Sequence, residues 1–475
     1  MKFNLLQRPL RWQLPAALAA LLVLGGCASF SPDGGFATVE QTAKARLGAD
    51  VRWARSDSDQ SAMAQRVDEL LAKPLTQADA VQLALLNNRG LQADFAELGI
   101  GEAELVQAGR LPNPGFSFAR LQRGHEVELE RGLHFNLARL IAMPLILQVE
   151  NRRFAHAQGR AATAVLALAA DTRKAYVHAL AAEETVRYMR QVQQTAQASA
   201  ELARRMQQVG NFNKLQRARE QAFYADAALN LARAEQAQRA TRERLTRLLG
   251  LWGEQTGFTL PERLPDLPKA VENRPDIERV AMAQRLDVQG AKLAAEQTAK
   301  NLGLTRTTRF VNVLELGYVN GRSNEEPTQR GWEVGFELPL FDWGGARVAR
   351  AEAIYMQAVN RAAEIAVNAR SEVREAYGAY RSAHDIARHH RDELVPLRKL
   401  IAEENLLRYN GMLIGVFEML ADARLQIASV NTYIESLRDF WLAQADLEMA
   451  LVGKPNLSAA AGPAMGAADA GGGGH

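Results

Sequence analysis

Arg173-Lys174-Ala175-Tyr176 is answered about 200 residues later by Arg374-Glu375-Ala376-Tyr377, and repetition on that scale is the first thing to settle in a long chain. Gly210, which closes one helical run, is answered by Gly411 at the same separation. Met143-Pro144-Leu145 is answered by Leu338-Pro339-Leu340, a few residues out of step, so a short insertion or deletion lies between them. The helical runs also finish alike, at Leu248-Leu249-Gly250-Leu251 and at Ala450-Leu451-Val452-Gly453. The 475 residues therefore read as one unit written twice.

Each copy has the order helix, two strands, very long helix, turn, helix. The first helix is expected from Thr76 to Gln107, opened by a capping box of Thr76 and Asp79 and stopped by Gly109 and Pro112-Asn113-Pro114. No proline occurs from Leu145 to Leu260, and alanine, leucine, arginine, glutamine and glutamate fill that stretch as good helix formers should. Gly210-Asn211-Phe212-Asn213 is its clear break. The second copy starts near Pro275, breaks at Gly303, resumes as helix near Ala346, turns at Asn410-Gly411 and ends near Gly453. Pro396 removes a backbone donor inside its long helix and predicts a kink. The long helices, Leu145–Val209 and Ala346–Tyr409, are about 65 residues each, or roughly 100 Å at 1.5 Å per residue. Such lengths belong to coiled coils, and the recurring small residues Ala161, Ala162, Ala164, Ala167, Ala169 and Ala170 permit close helix packing.

Between the helices the period changes to two. Val127, Leu129, Leu133, Phe135 and Leu137 alternate with Glu126, Glu128, Glu130, His134 and Asn136; Trp332, Val334, Phe336, Leu338 and Leu340 alternate with Glu333, Gly335, Glu337 and Pro339. Their partners are expected at Gly115–Arg123 and Arg309–Asn320, with turns near Gly124 and Gly321–Gly331. One face of such a strand suits lipid and the other water, at the roughly ten-residue length a tilted membrane strand needs. Four strands do not close a barrel, and an open edge in lipid leaves backbone groups unpaired, so several copies must pool their strands. Three copies would supply an even twelve.

Cys27 is the sole cysteine, which excludes an intramolecular disulfide and a thiolate metal site. It follows a basic start (Lys2, Arg8, Arg11) and an apolar run from Leu14 to Leu24, the layout of a secretory signal peptide over 1–26. Leu24-Gly25-Gly26-Cys27 resembles a bacterial lipobox, which predicts a covalent lipid, with palmitate among its acyl chains, on Cys27 and no other cofactor. Ala28, not an aspartate, follows it, favouring the outer membrane. The net charge of +3, from 57 basic and 54 acidic groups, gives no basic face for nucleic acid.

This combination resembles the TolC-type outer-membrane factor family from about Lys73 to Gly453. Asn273-Arg274-Pro275-Asp276-Ile277 is similar to the family motif that opens the second repeat, Leu338-Pro339-Leu340-Phe341-Asp342 to its strand-to-helix exit, and Tyr409-Asn410-Gly411 with Val416-Phe417-Glu418-Met419-Leu420 to its periplasmic turn. The resemblance implies a mainly α fold with a membrane β-barrel portion, a homotrimer with a twelve-strand barrel and a long α-helical periplasmic tunnel. It implies a passive efflux duct, not an enzyme, served by a periplasmic adaptor and an inner-membrane, proton-driven pump. The expected divisions are a lipid-anchored N-terminal segment over 27–72, repeats over 73–260 and 261–453, and a disordered tail over 454–475.

The resemblance also places functional residues. Glu418 falls on an acidic gate position, with Ala421 at the family's next acidic position and Asp422 one residue later; as plain chemistry Glu418 is equally a solvated helix carboxylate. The turns at Gly210 and Gly411, with Arg204, Arg205 and Arg408 beside them, resemble adaptor-docking tips, or simply end helices with cations near their carboxyl ends. If the apolar strand faces meet lipid, Glu126, Glu128, Glu130, Glu333 and Glu337 line the barrel lumen, as an acidic exit for cationic cargo or as ordinary polar lining. His384, His389 and His390 have spacing unsuited to one helical face and are not taken as a metal site; no catalytic set is found. Two other readings stay open: the exit of a type I protein-secretion system, and a lipid-anchored coiled-coil scaffold without a pore. The cargo is not legible.

Overall fold

The structure is a computed structural model and describes residues 29–308, 314–336 and 340–456. Cys27, Glu337, Pro339, the start of the third expected strand and the tail from 457 lie outside the described residues.

Two short helices, α1 (Ala37–Leu47) and α2 (Asp57–Leu71), precede the duplicated part. The first copy then runs α3 (Gln77–Asn87), α4 (Arg89–Ala108), β1 (Gly115–Arg123), β2 (Glu126–Asn136), α5 (Leu137–Gln208) and α6 (Lys214–Leu249). The second runs α7 (Ile277–Gln284), α8 (Leu286–Thr308), β3 (Leu314–Ser323), β4 (Gln329–Phe336), α9 (Gly345–His389), a π turn (His390–Leu394), α10 (Val395–Asn410) and α11 (Val416–Val452). The internal repeat is thus a repeat of structure.

The capping box at Thr76 forms: Asp79 N–H donates to the Thr76 hydroxyl at 3.1 Å, and the Asp79 carboxylate accepts from the Thr76 amide at 3.4 Å. The single expected helix from Thr76 is, however, broken at Asn88, whose backbone is extended (φ −69°, ψ 117°). Arg285 breaks the second copy at the equivalent place with nearly the same angles (φ −66°, ψ 124°). The expected break at Gly303 does not occur; α8 runs through it to Thr308. Asn88 and Arg285 do one job with different chemistry. Asn88 donates to the Leu248 carbonyl at 3.0 Å and Asn87 to Leu249 and Gly250, so amides satisfy the open end of α6. Arg285, 1% exposed, reaches the Ala450 carbonyl of α11 and is neutralised by Asp287 and Glu372, both at 2.7 Å.

The repeated tyrosines also have one job. The Tyr176 hydroxyl donates to the Leu75 carbonyl just before α3, and the Tyr377 hydroxyl accepts from the Arg274 amide just before α7. Each fastens its long helix to the entry of its own copy.

Two local expectations are corrected. Leu137 does not continue β2; Asn136 accepts from the Arg139 amide at 2.8 Å, so α5 starts at Leu137 and carries Pro144 inside its second turn. The disturbance expected from Pro396 appears as the π turn immediately before it, where the ladder already lacks the proline donor.

The chain divides into two compact units. One takes the described residues 29–38 with Asp94–Ala161 and the described part of Gly290–Glu364, and holds the sheet. In it Ser31 bonds Glu102 through its amide at 2.6 Å, and the rings of Phe36 and Phe95 meet edge to face at 4.8 Å. The other takes Val39–Ala93, Ala162–Gln289 and residues 365–456. Its core packs Leu75, Leu83, Leu180, Leu245, Leu249 and Phe440, all essentially inaccessible.

Candidate functional site

The four strands form one antiparallel sheet in the order β1-β2-β3-β4. Its register places Phe116 opposite Leu133, Leu133 opposite Tyr318 and Tyr318 opposite Trp332; Phe135 opposes Leu316 and Leu316 opposes Val334. One face is therefore an apolar, aromatic band open to its surroundings, with Phe116 69%, Trp332 73% and Phe336 63% exposed. A water-soluble surface does not normally hold such a patch.

Glu126, Glu128, Glu130 and Glu333 fall on the opposite face, as their alternation predicts, and Glu315 shares it; Glu315 and Glu333 lie toward the helix ends of the strands and the other three toward the β1–β2 turn. Glu315 lies outside the residues singled out from sequence because the alternation of its own strand is broken by Gly317 and Gly321. Glycines on this face make room. A Cβ at Gly132 would lie 2.8 Å from His134 Nε2, and one at Gly317 would lie 3.0 Å from Nδ1, so the imidazole lies down across the sheet and meets the Ser117 hydroxyl at 2.9 Å.

The two turns differ in construction. Gly210 takes φ +82°, the left-handed conformation for which glycine is suited, and Asn213 with Gln216 forms a capping box that starts α6. At the other turn Gly411 has φ −80° and needs no such freedom; Met412 takes the left-handed position at φ +57°. Gly411 is thus not the permissive residue of its turn. Both turns present apolar side chains, with Val209 71%, Leu215 59%, Met412 93% and Leu413 77% exposed.

Arg204 and Arg205 are not free donors. Both bind Glu201, at 2.7 and 2.9 Å, and hydrogen bonds from Arg204 and then Arg205 hold that carboxyl down at about 2. Glu201 stands three and four residues before them, a spacing that was readable as helical pairing. Arg408 is exposed and has no ion-pair partner among the described residues. Glu418 is exposed in the first turn of α11, where a negative charge suits the helix dipole.

A cluster absent from the sequence reading lies between the turns and the core. Glu220 of α6, 1% exposed, accepts from the Ser199 hydroxyl of α5 and from Arg424 of α11, both at 2.8 Å. The Arg424 guanidinium also covers the Phe223 ring at 4.2 Å. His384 is buried with Nε2 3.0 Å from the Pro268 carbonyl oxygen, whereas His389 is half exposed beside Glu393. Among the described residues no three metal-ligating side chains converge.

Solved structures decide what kind of fold this is. The chain superposes on CusC, in a structure concerned with folding and transmembrane channel formation, with a TM-score of 0.66 at 17% identity over 79% of this chain and 92% of that one. The fold is that of the TolC-type outer-membrane channels. It matches the outer membrane protein VceC of Vibrio cholerae with a TM-score of 0.64 at 15% identity, covering 85% and 98% of the two chains. It matches the open state of the MtrE outer membrane channel of Neisseria gonorrhoeae with a TM-score of 0.66 at 19% identity, covering 79% and 88%. No family profile and no curated protein matches the sequence.

Proposed function

We propose that this chain is the outer-membrane exit channel of a tripartite efflux system, a passive duct and not an enzyme. Three copies pool their four strands into a twelve-strand barrel, and the helical hairpins of the repeats over 73–260 and 261–453 form the periplasmic tunnel. The segment over 27–72 is anchored through lipid on Cys27. A proton-driven inner-membrane pump and a periplasmic adaptor supply energy and coupling, and the cargo is small molecules or metal ions.

One observation carries this reading: a four-stranded sheet with one exposed aromatic face and one acidic face, whose outer strands β1 and β4 pair on one side only among the described residues. An unpaired edge beside lipid leaves its amides and carbonyls unsatisfied, and closure with other copies removes it. The turns are the adaptor-docking tips in this reading, with exposed Val209, Leu215, Met412 and Leu413 as the contact and Glu418 at the mouth.

Planar bilayers test the proposal. Purified full-length protein is expected to give oligomers that resist detergent, lose that resistance on heating, and conduct in steps. A monomer that leaves the bilayer impermeable overturns it.

A further inference from the structure

The apolar face of the sheet carries an arginine cluster in the half nearer the β3–β4 turn. Arg131 of β2 opposes Asn320 of β3, which opposes Arg330 of β4; in the next row Arg120 of β1 opposes Leu129, which opposes Arg322. Strands lie about 4.8 Å apart, so Arg131 and Arg330 stand roughly 10 Å apart, and Arg120 and Arg322 are diagonal neighbours of Arg131 at roughly 7–8 Å. All four are exposed. None has an ion-pair partner among the described residues, and Glu126, Glu128 and Glu130 are on the other face, where they cannot neutralise the cluster.

Like charges grouped on adjacent strands destabilise a sheet. On the lipid-facing side of a barrel an arginine is costly near the middle of the bilayer and nearly free at the interface. The aromatic part of the face (Phe116, Phe135, Trp332, Phe336) lies toward the strand ends that lead into the helices; Arg322 and Arg330 adjoin the β3–β4 turn, and Arg120 and Arg131 stand nearer the middle of their strands. With the helices on the periplasmic side, Arg322 and Arg330 reach the outer leaflet at headgroup depth, and the long side chains of Arg120 and Arg131 extend toward it.

We infer that Arg120, Arg131, Arg322 and Arg330 form a binding site for the phosphorylated glycolipid of the outer leaflet. The site takes its phosphate groups between the two rows while the acyl chains lie on the aromatic band. Guanidinium offers paired donors that match a phosphate's oxygens, and the spacing of the rows admits more than one phosphate. The inference rests on the reading that this face meets lipid in the outer membrane.

The test uses the full-length protein in phospholipid nanodiscs with bis-phosphorylated lipid A added, dephosphorylated lipid A as control, and Arg131→Gln/Arg322→Gln as the variant. Bound lipid A is counted by mass spectrometry. Wild type is expected to retain it over phosphatidylglycerol, and the variant to bind about thirtyfold more weakly, at about 1 kcal/mol per guanidinium. Equal retention of phosphorylated and dephosphorylated forms, or equal retention by variant and wild type, overturns the inference. Single-channel conductance is read in parallel: unchanged steps in the variant show that barrel and duct survive, so a failure of the lipid site is distinguished from a failure of the channel reading.

Discussion

Removing Arg424 should harm the protein more than altering its partner Glu220. The Glu220 side chain is 2% exposed and that of Arg424 35%. Arg424→Met strands a carboxylate away from water with only the Ser199 hydroxyl at 2.8 Å to hold it. It must stay charged and poorly solvated or take up a proton, and breaking a buried pair in this way costs about 3 kcal/mol or more. Glu220→Gln leaves an arginine that already reaches water and stacks on Phe223, and the amide keeps an oxygen for Ser199, so the cost is about 1 kcal/mol.

The link joins α6 of the first copy to α11 of the second, so the loss is expected as local opening of these helices. Tryptic cleavage after Arg219 reads that opening when reclosure outruns the protease, because the rate then follows the open population. Arg424→Met should be cut more than a hundredfold faster than wild type and Glu220→Gln about fivefold faster, on about 1.4 kcal/mol per decade. Glu220→Gln/Arg424→Met should fall below the product of the single effects, since no stranded charge remains. Additive effects, or a Glu220→Gln variant that opens as readily as Arg424→Met, refute the argument.

Gly250→Ala should cost about 3 kcal/mol by thermal or urea unfolding, because φ is +67° and the new Cβ would sit 2.6 Å from the Asn87 carbonyl oxygen. Gly210→Ala, at φ +82° in open space, should cost about 1 kcal/mol, and Gly411→Ala, at φ −80°, should be neutral; equal effects at the two turns sink the distinction. Tyr176→Phe should cost about 1–3 kcal/mol by leaving the buried Leu75 carbonyl short of a donor, and Tyr377→Phe less, since its hydroxyl is exposed; a reversed order in urea midpoints contradicts their assigned roles. Burial, aided by Arg438 and Arg244, holds His178 down at about 4. The unfolded chain binds that proton first, so stability is full above about pH 6.5, falls as pH drops toward 4 and is level below; the loss is about 1–2 kcal/mol after solvent screening, and His178→Gln should flatten it in urea midpoints.

Much of the fold was legible because its signals are local. The strand expected at Gly115–Arg123 as the partner of the alternating one is β1 residue for residue, and Gly210-Asn211-Phe212-Asn213 marks the end of one long helix. The misplaced boundaries have tertiary causes. Asn88 and Arg285 interrupt helices because their side chains are drawn to the ends of α6 and α11, contacts made across more than 150 residues. Nothing within one turn of either residue announces that. Gly303 looks like a stop only where propensity decides, and in α8 it does not. The Glu220–Arg424 link is invisible for the same reason, whereas Glu201 was within reach of simple helical spacing.

The sheet is where sequence and structure together support the proposed pooling of strands. Alternation alone gives a strand with two faces; register turns that into one continuous aromatic face, one acidic face and, among the described residues, two outer strands with open sides. Burying the aromatic face in a protein core would satisfy its surface but strand Arg120, Arg131, Arg322 and Arg330 on the same face in an apolar setting. Leaving it in water would expose the aromatics. In the proposed reading a membrane takes both, apolar at its centre and anionic at its surface, and further copies of the chain close the open edges.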